Sequence, residues 1–237
     1  MRSDGSYTVR WAGPPGWRAI PPVTRTALAL AGAGYLLGLL VPGAAFLLAA
    51  IPSRILAGEV WRLVTYPLVI AGIVNVLFAL LLLWSFGTEM EAVWGSRRFA
   101  LFLVAASASA AALGTLAALA LGTGLAVGAG MSGLLTALIV AWALRGLSLP
   151  ANLFGVLPMT RGVFALLALV LVVFSEIEAT RSLAQLVFVL GGLPVAWLFS
   201  ARRPSGRPPT FRPRRFRNPF RRRRFTVVGG GWNGPVN

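Results

Sequence analysis

The chain contains no cysteine, no histidine and no lysine. Without cysteine, disulfide frameworks, thiolate nucleophiles and Cys-ligated metals are excluded. Without histidine or lysine, no side chain titrates near neutrality in its unperturbed form, and neither a metal nor another cofactor is expected. Charge is scarce as well: 12% of the 237 residues are charged, against about 25% in a soluble domain. The acids are Asp4, Glu59, Glu89, Glu91, Glu176 and Glu178, and all 22 basic residues are arginine, for a net charge of +16. What is present is apolar: 57% hydrophobic residues and a mean hydropathy of +0.78. Several runs are long enough to cross a bilayer, so the chain reads as an integral membrane protein. An arginine-only basic set also suggests a GC-rich bacterial genome.

Hydropathy predicts six spans. The polar, Pro- and Gly-rich residues 1–26 precede Ala27–Leu48, which lacks a small-residue cleavage site after a short core and reads as a retained span. The segment Pro52–Pro67 carries Arg54, Glu59, Trp61 and Arg62, too many polar groups for a crossing. The second span covers Leu68–Phe86, followed by a charged hinge (Glu89, Glu91, Arg97, Arg98) and a third span, Phe99–Leu121. A glycine-dense loop, Gly122–Gly130, leads to a short fourth, Ser132–Leu144. The fifth and sixth cover Gly162–Phe174 and Leu183–Phe199, separated by Glu176, Glu178 and Arg181 on a loop. With the N-terminus inside, Arg2, Arg10, Arg18, Arg25, Arg97, Arg98, Arg145, Arg161 and the eleven arginines after residue 201 are cytoplasmic. Only Arg54, Arg62 and Arg181 fall outside, so the count obeys the positive-inside bias. The expectation is a multi-pass inner-membrane protein with both termini cytoplasmic.

The fourth span is too short. At 1.5 Å per residue, Ser132–Leu144 covers roughly 20 Å of a hydrocarbon core about 30 Å thick. The preceding loop must therefore dip into the membrane, where irregular backbone survives only inside protein or beside water. This implies a recess open to the outside with Ser132 at its floor.

Four motifs fall in order along these spans. Gly58-Glu59-Val60-Trp61-Arg62-Leu63-Val64-Thr65 lies in the first loop. Phe86-Gly87-x-x-Met90-Glu91-x-x-x-Gly95-Ser96-Arg97-Arg98-Phe99 joins the second and third spans. Gly130-Met131-Ser132-Gly133 opens the fourth, and Gly191-Gly192 lies in the sixth. Together they resemble the rhomboid superfamily of intramembrane serine proteases, over about residues 27–200. The resemblance implies an all-α integral membrane fold: a six-transmembrane-helix bundle with a short fourth helix and a membrane-associated first loop. It also implies that Ser132 is the nucleophile position and that Gly191 and Gly192 pack against the fourth span. In the active family a histidine stands just ahead of those glycines; in Phe188-Val189-Leu190-Gly191-Gly192 the matching position is Val189. A His and, four residues later, an Asn assist the oxyanion on the second span; here Asn75 and Ala79 stand in those places. Ile70 replaces a further His.

The residues agree without the alignment. A serine hydroxyl is a poor nucleophile until a base takes its proton, and only carboxylates or tyrosine remain. Glu176 or Glu178 is a base in principle, but nothing in the sequence fixes that loop against Ser132. Ser132 instead suits the cap of the fourth helix, and with Gly130 and Gly133 it gives a small packing surface. Asn75, polar in an apolar run, is expected to face the bundle or the recess, as packing glue or client contact. Glu91, near Arg97, Arg98 and the Gly95 turn, is expected to anchor that turn rather than bind a client. Trp61 and Arg62 suit an interfacial loop, with the indole at headgroup level and the guanidinium on phosphates.

The chain therefore divides into a cytoplasmic segment (1–26), a rhomboid-like membrane domain (27–201) and an extended or disordered arginine-rich tail (202–237). In the tail, Phe211, Phe216, Phe220 and Phe225 alternate with Arg pairs and with the run Arg221, Arg222, Arg223 and Arg224. They would attract anionic lipid, RNA or the ribosome through stacking, or an acidic protein. The expected function is non-proteolytic recognition of transmembrane segments of client proteins, for retention, quality control or delivery. The alternatives are an endopeptidase with unconventional catalysis at Ser132 and a tether acting through the tail. A solute carrier lacks support, because no span holds a relay of acids and no inverted repeat is visible.

Overall fold

The structure is a computed structural model, and it describes residues 20–122, 127–153, 157–180 and 182–201. The N-terminal segment before residue 20 and the whole tail, Arg221–Arg224 included, lie outside the described residues. Helix α1 (Pro22–Leu40) starts where proline costs nothing, at the first helical position, after Pro21 in an extended conformation. It ends at Val41-Pro42, and the chain turns at Gly43 with a left-handed φ of +84°. The run expected to continue to Leu48 is therefore broken, its last residues forming the separate short helix α2 (Ala44–Leu48).

A compact first loop follows, with α3 (Pro52–Leu56), α4 (Arg62–Thr65) and a 3-10 turn at Tyr66–Leu68. Helix α5 spans Ile73–Trp94. Its start comes five residues later than hydropathy suggests, because Val69–Gly72 stay irregular and Gly72 has φ +83°. Its end comes later too. Glu89 and Glu91 are inside the helix, and the expected charged hinge shrinks to Gly95, whose φ of +79° is closed to most side chains. Helix α6 (Ser96–Ala120) runs back, burying Ala106, Ser107, Ala110, Ala111, Gly114 and Ala118 on one small-residue face. Such a face lets backbones approach closely where lipid removes the hydrophobic drive between helices.

Helix α7 (Ser132–Ala143) is the central helix: every residue from Gly133 to Ile139 is buried. A two-stranded antiparallel hairpin, β1 (Pro150–Leu153) with β2 (Leu157–Thr160), then pairs Pro150 with Thr160 and is the one departure from the expected helical make-up among the described residues. Helix α8 (Arg161–Thr180) is longer than predicted and carries Glu176 and Glu178 as helical residues. The sixth run is two helices, α9 (Leu183–Leu190) and α10 (Leu193–Ala201). Pro194 cannot donate to the preceding turn, so the run breaks at Gly191-Gly192. Ser109 of α6 donates to the Gly191 carbonyl that this break exposes, at 2.6 Å.

Four stretches are long and apolar enough to cross a membrane: Pro22–Leu40, Ile73–Trp94, Ser96–Ala120 and Leu183–Ala201. The protein is thus a multi-pass membrane protein built from helices. Its charges segregate. The start of α1, the end of α5, the start of α6, the end of α7 and the start of α8 share one end, which holds Glu89, Glu91, Arg97, Arg98, Arg145 and Arg161. The first loop, the start of α7 and the end of α8 share the other.

Candidate functional site

Helix α7 begins in a setting of satisfied backbone. Gly128 exchanges two hydrogen bonds of 2.8 Å with Ala50 of the first loop, and the Gly130 N–H donates to the Tyr66 carbonyl at 3.3 Å. Those bonds let the irregular segment before α7 sit inside protein. Gly130 itself has φ +96°.

Ser132 is half-buried at the first turn of α7. It is not the helix cap: Met131 holds that position, and no side chain caps the end. The Ser132 hydroxyl instead donates to Glu176 Oε1 at 3.3 Å. This overturns the expectation of Glu176 on an unfixed loop. Nothing between Val163 and Thr180 is Gly or Pro, so the helix continues past Phe174. Glu176 is thereby carried, half-buried, to the hydroxyl. Glu178 lies in the same helix.

Where α7 meets α9 the backbones are closely packed. A Cβ on Gly133 would stand 2.7 Å from the Phe188 carbonyl oxygen, 3.5 Å from Val189 Cα and 3.4 Å from the Tyr66 hydroxyl. Val189 is buried. It thus packs directly beside the residue that follows Ser132. Gly192 continues this contact, since a Cβ there would stand 2.9 Å from Ala137 Cβ, and one on Gly191 would stand 2.9 Å from Ala110 Cα. The Phe188 ring fills the space left by Gly114 and Gly128, where a Cβ would come within 2.3 and 2.5 Å of it.

Tyr66 is the residue that sequence reasoning missed. Its ring meets Phe188 edge-on at 6.5 Å, and its hydroxyl is buried with no hydrogen-bond partner among the described residues. Burial pushes its phenol up from the ordinary value, so it stays protonated and a donor. The available signal was a lone hydroxyl-bearing aromatic four residues after Arg62 in an otherwise apolar stretch. On α5, Ala79 is buried in the core. Asn75 is not in the bundle interior: it is exposed, and its amide donates to the Ala71 carbonyl at 2.8 Å.

Two further expected site residues have different surroundings from those predicted. Arg62 does not reach phosphate. It is 1% exposed, pairs with Glu59 at 2.6 Å and donates to the carbonyls of Phe46 and Ala49. Trp61 beside it is exposed, as an interfacial indole would be. Glu91, 3% exposed, accepts from the Val23 N–H at 3.0 Å, from the Thr24 N–H at 2.6 Å and from the Thr24 hydroxyl at 2.8 Å. Ser96 donates to it at 2.7 Å. It therefore holds the start of α1 to the α5–α6 corner, and its partners are backbone and hydroxyl donors rather than Arg97 or Arg98.

Among the described residues no three acidic side chains come together in a way that could hold a metal ion. The Rhomboid domain family model matches residues 57–202, from the first loop to the end of α10. No curated protein matches the chain.

Proposed function

The chain belongs to the rhomboid family, and from that premise we propose that it recognises transmembrane segments of other membrane proteins without cutting them. One observation carries the reading. Helices α5 and α8 are tied together at the arginine-rich end, where Arg161 pairs with Glu89 at 2.7 Å and Phe86 meets Phe164 at 5.5 Å. Toward the other end they expose apolar faces: Val74, Leu77 and Phe78 on α5, and Leu171, Phe174 and Ile177 on α8. Helix α8 packs there on α7 and α9. A client helix lying between those faces would meet Asn75, Ser132 and Glu176, polar groups that hydrocarbon does not supply. The orphan Tyr66 hydroxyl adds a donor whose burial without a partner costs about 1–3 kcal/mol.

Loss of proteolysis follows from the base. An apolar Val189 stands where the family places its histidine. A carboxylate, with an ordinary pKa of about 4.3, is a weak acceptor for an alcohol proton. Photo-crosslinking groups at Leu77 and Phe174 test the reading: cross-links to membrane proteins of the host support it, and capture of lipid alone defeats it.

The Ser132–Glu176 hydrogen bond favours a second reading, a serine endopeptidase in which Glu176 takes the hydroxyl proton as Oγ attacks the peptide carbonyl and returns it to the leaving amine. Covalent labelling of the purified chain by a fluorophosphonate, abolished by Ser132→Ala, would establish it. The domain boundaries, cytoplasmic termini and inner-membrane location belong to the same proposal. So does contact of the tail with anionic lipid, RNA or ribosome, which would make the protein a tether.

A further inference from the structure

At the end of the molecule away from Ser132, Arg145 feels the charges of two further arginines, Arg98 and Arg161, and of one carboxylate, Glu89. Glu89 is fully engaged: Oε1 accepts from Arg161 and Oε2 from the Trp142 indole, each at 2.7 Å. The Arg161 guanidinium lies 4.5 Å from the Trp142 ring centroid, and its Nε is buried without a hydrogen-bond partner among the described residues. Arg98 leans on Trp94 at 5.3 Å and donates to the Phe199 carbonyl. Arg145, one turn beyond Trp142, has no hydrogen bond or ion pair for its side chain among the described residues. Its pKa is held below the ordinary arginine value, first by partial burial and then by the charges of Arg161 and Arg98, with Glu89 opposing. The other acid at this end, Glu91, is spent on Val23, Thr24 and Ser96. Arg145 is therefore left without an acid of its own among the described residues, beside the stacked and fixed guanidinium of Arg161. The residues flanking Arg145 are exposed and apolar: Leu144, Leu147 and Leu149. A cationic group bordered by bare leucines matches a ligand with an anionic head and hydrocarbon chains.

We propose that Arg145, with Arg98 and Arg161 behind it, binds the phosphate headgroup of an anionic phospholipid whose acyl chains lie against Leu144 and Leu147. The site is separate from the client-binding reading. Basic pockets between membrane helices are suited to such headgroups, each arginine near the surface contributing about 1 kcal/mol. The planar guanidinium groups favour bidentate contact with phosphate oxygens.

The test uses the delipidated full-length protein in neutral detergent, titrated with phosphatidylglycerol, phosphatidylcholine or inorganic phosphate while thermal unfolding is followed. Phosphatidylglycerol is expected to raise the unfolding temperature, with phosphatidylcholine and inorganic phosphate without effect. Arg145→Gln is expected to need about five-fold more phosphatidylglycerol for the same shift, and Arg145→Lys to need less than Arg145→Gln. Replacing Arg221, Arg222, Arg223 and Arg224 by Gln should leave the shift in place. An unchanged response in Arg145→Gln, loss of the response only in the tail variant, or an equal shift with inorganic phosphate would overturn the proposal. A photoreactive phosphatidylglycerol gives a second measurement on the unmutated protein. Its cross-link is expected at residues 144–149, and cross-linking confined to the tail would equally overturn it.

Discussion

Arg62 enters the first loop as a buried cation, and its value lies in what it closes. Its guanidinium joins Glu59 to the carbonyls of Phe46 and Ala49, tying α4 to the end of α2. Removing it leaves the carbonyls it serves without their donor, at a cost of about 1–3 kcal/mol, while Glu59 keeps Arg54 at 3.4 Å. Arg62→Ala is therefore expected to destabilise the protein by that amount in thermal or denaturant unfolding in detergent. Arg62→Lys should recover only part, because an ammonium cannot serve all these acceptors in one plane. On α9, Val189→His would place an imidazole against Gly133, the residue that follows Ser132. The expected outcome is a gain of fluorophosphonate labelling over the parent chain, lost again when Ser132→Ala is added. A histidine variant as unreactive as its parent would show that position 189 does not face the hydroxyl. Residue by residue, the motif positions were legible while their partners were not. Ser132, Gly133 and Val189 were named through the resemblance of their motifs to the rhomboid superfamily. The Glu176 contact was not, since forty-four residues separate it from Ser132 and only the uninterrupted helix brings it there. Arg62 beside Trp61 read as an interfacial pair because carbonyls thirteen and sixteen residues upstream leave no mark in the local sequence.

Elements were most legible where small or breaking residues punctuate them. The predicted third and fourth spans, Phe99–Leu121 and Ser132–Leu144, differ from α6 and α7 by at most three residues at either end. Hydropathy failed where it could not distinguish buried loop from helix: Leu68–Gly72 is apolar, yet its backbone is irregular before α5. It also failed where charge was taken as a break, since α5 runs through Glu89 and Glu91 and α8 through Glu176. Close approach between elements is more demanding than their boundaries. Gly133 brings α7 against the backbone of α9, and a methyl there would meet the Phe188 carbonyl at 2.7 Å. A backbone oxygen cannot rotate away. Gly133→Ala is expected to cost about 1–3 kcal/mol through overpacking, read as a lower unfolding temperature. Gly32→Ala is the matched control, because nothing lies within 4 Å of a Cβ there, and in mid-helix it should unfold at or slightly above the parent's temperature.

At the scale of the whole molecule, the two ends differ in how they are held. The arginine-rich end is knotted: Phe86, Trp142 and Phe164 stack within 4.9–5.9 Å of one another, and the Glu89–Arg161 pair spans α5 and α8. If that knot sets the spread of the two helices, Glu89→Ala should broaden the separation between their far ends. The absence of native cysteine makes this measurable with spin labels on cysteines introduced at Leu77 and Phe174. A wider, flatter distance distribution in the variant is the expected result, and identical distributions would remove the knot from any role in opening.

Glu91 has a consequence for how the chain is made. The leading edge of its first membrane helix has its N–H groups satisfied by a carboxylate sixty-seven residues downstream. During synthesis that edge must wait, bare or hydrated, until the second long helix has emerged almost whole. Ribosome-held fragments in which Glu91 is still inside the ribosome should then keep α1 loosely seated and open to proteases, and those long enough for Glu91 and Ser96 to have emerged should lock it.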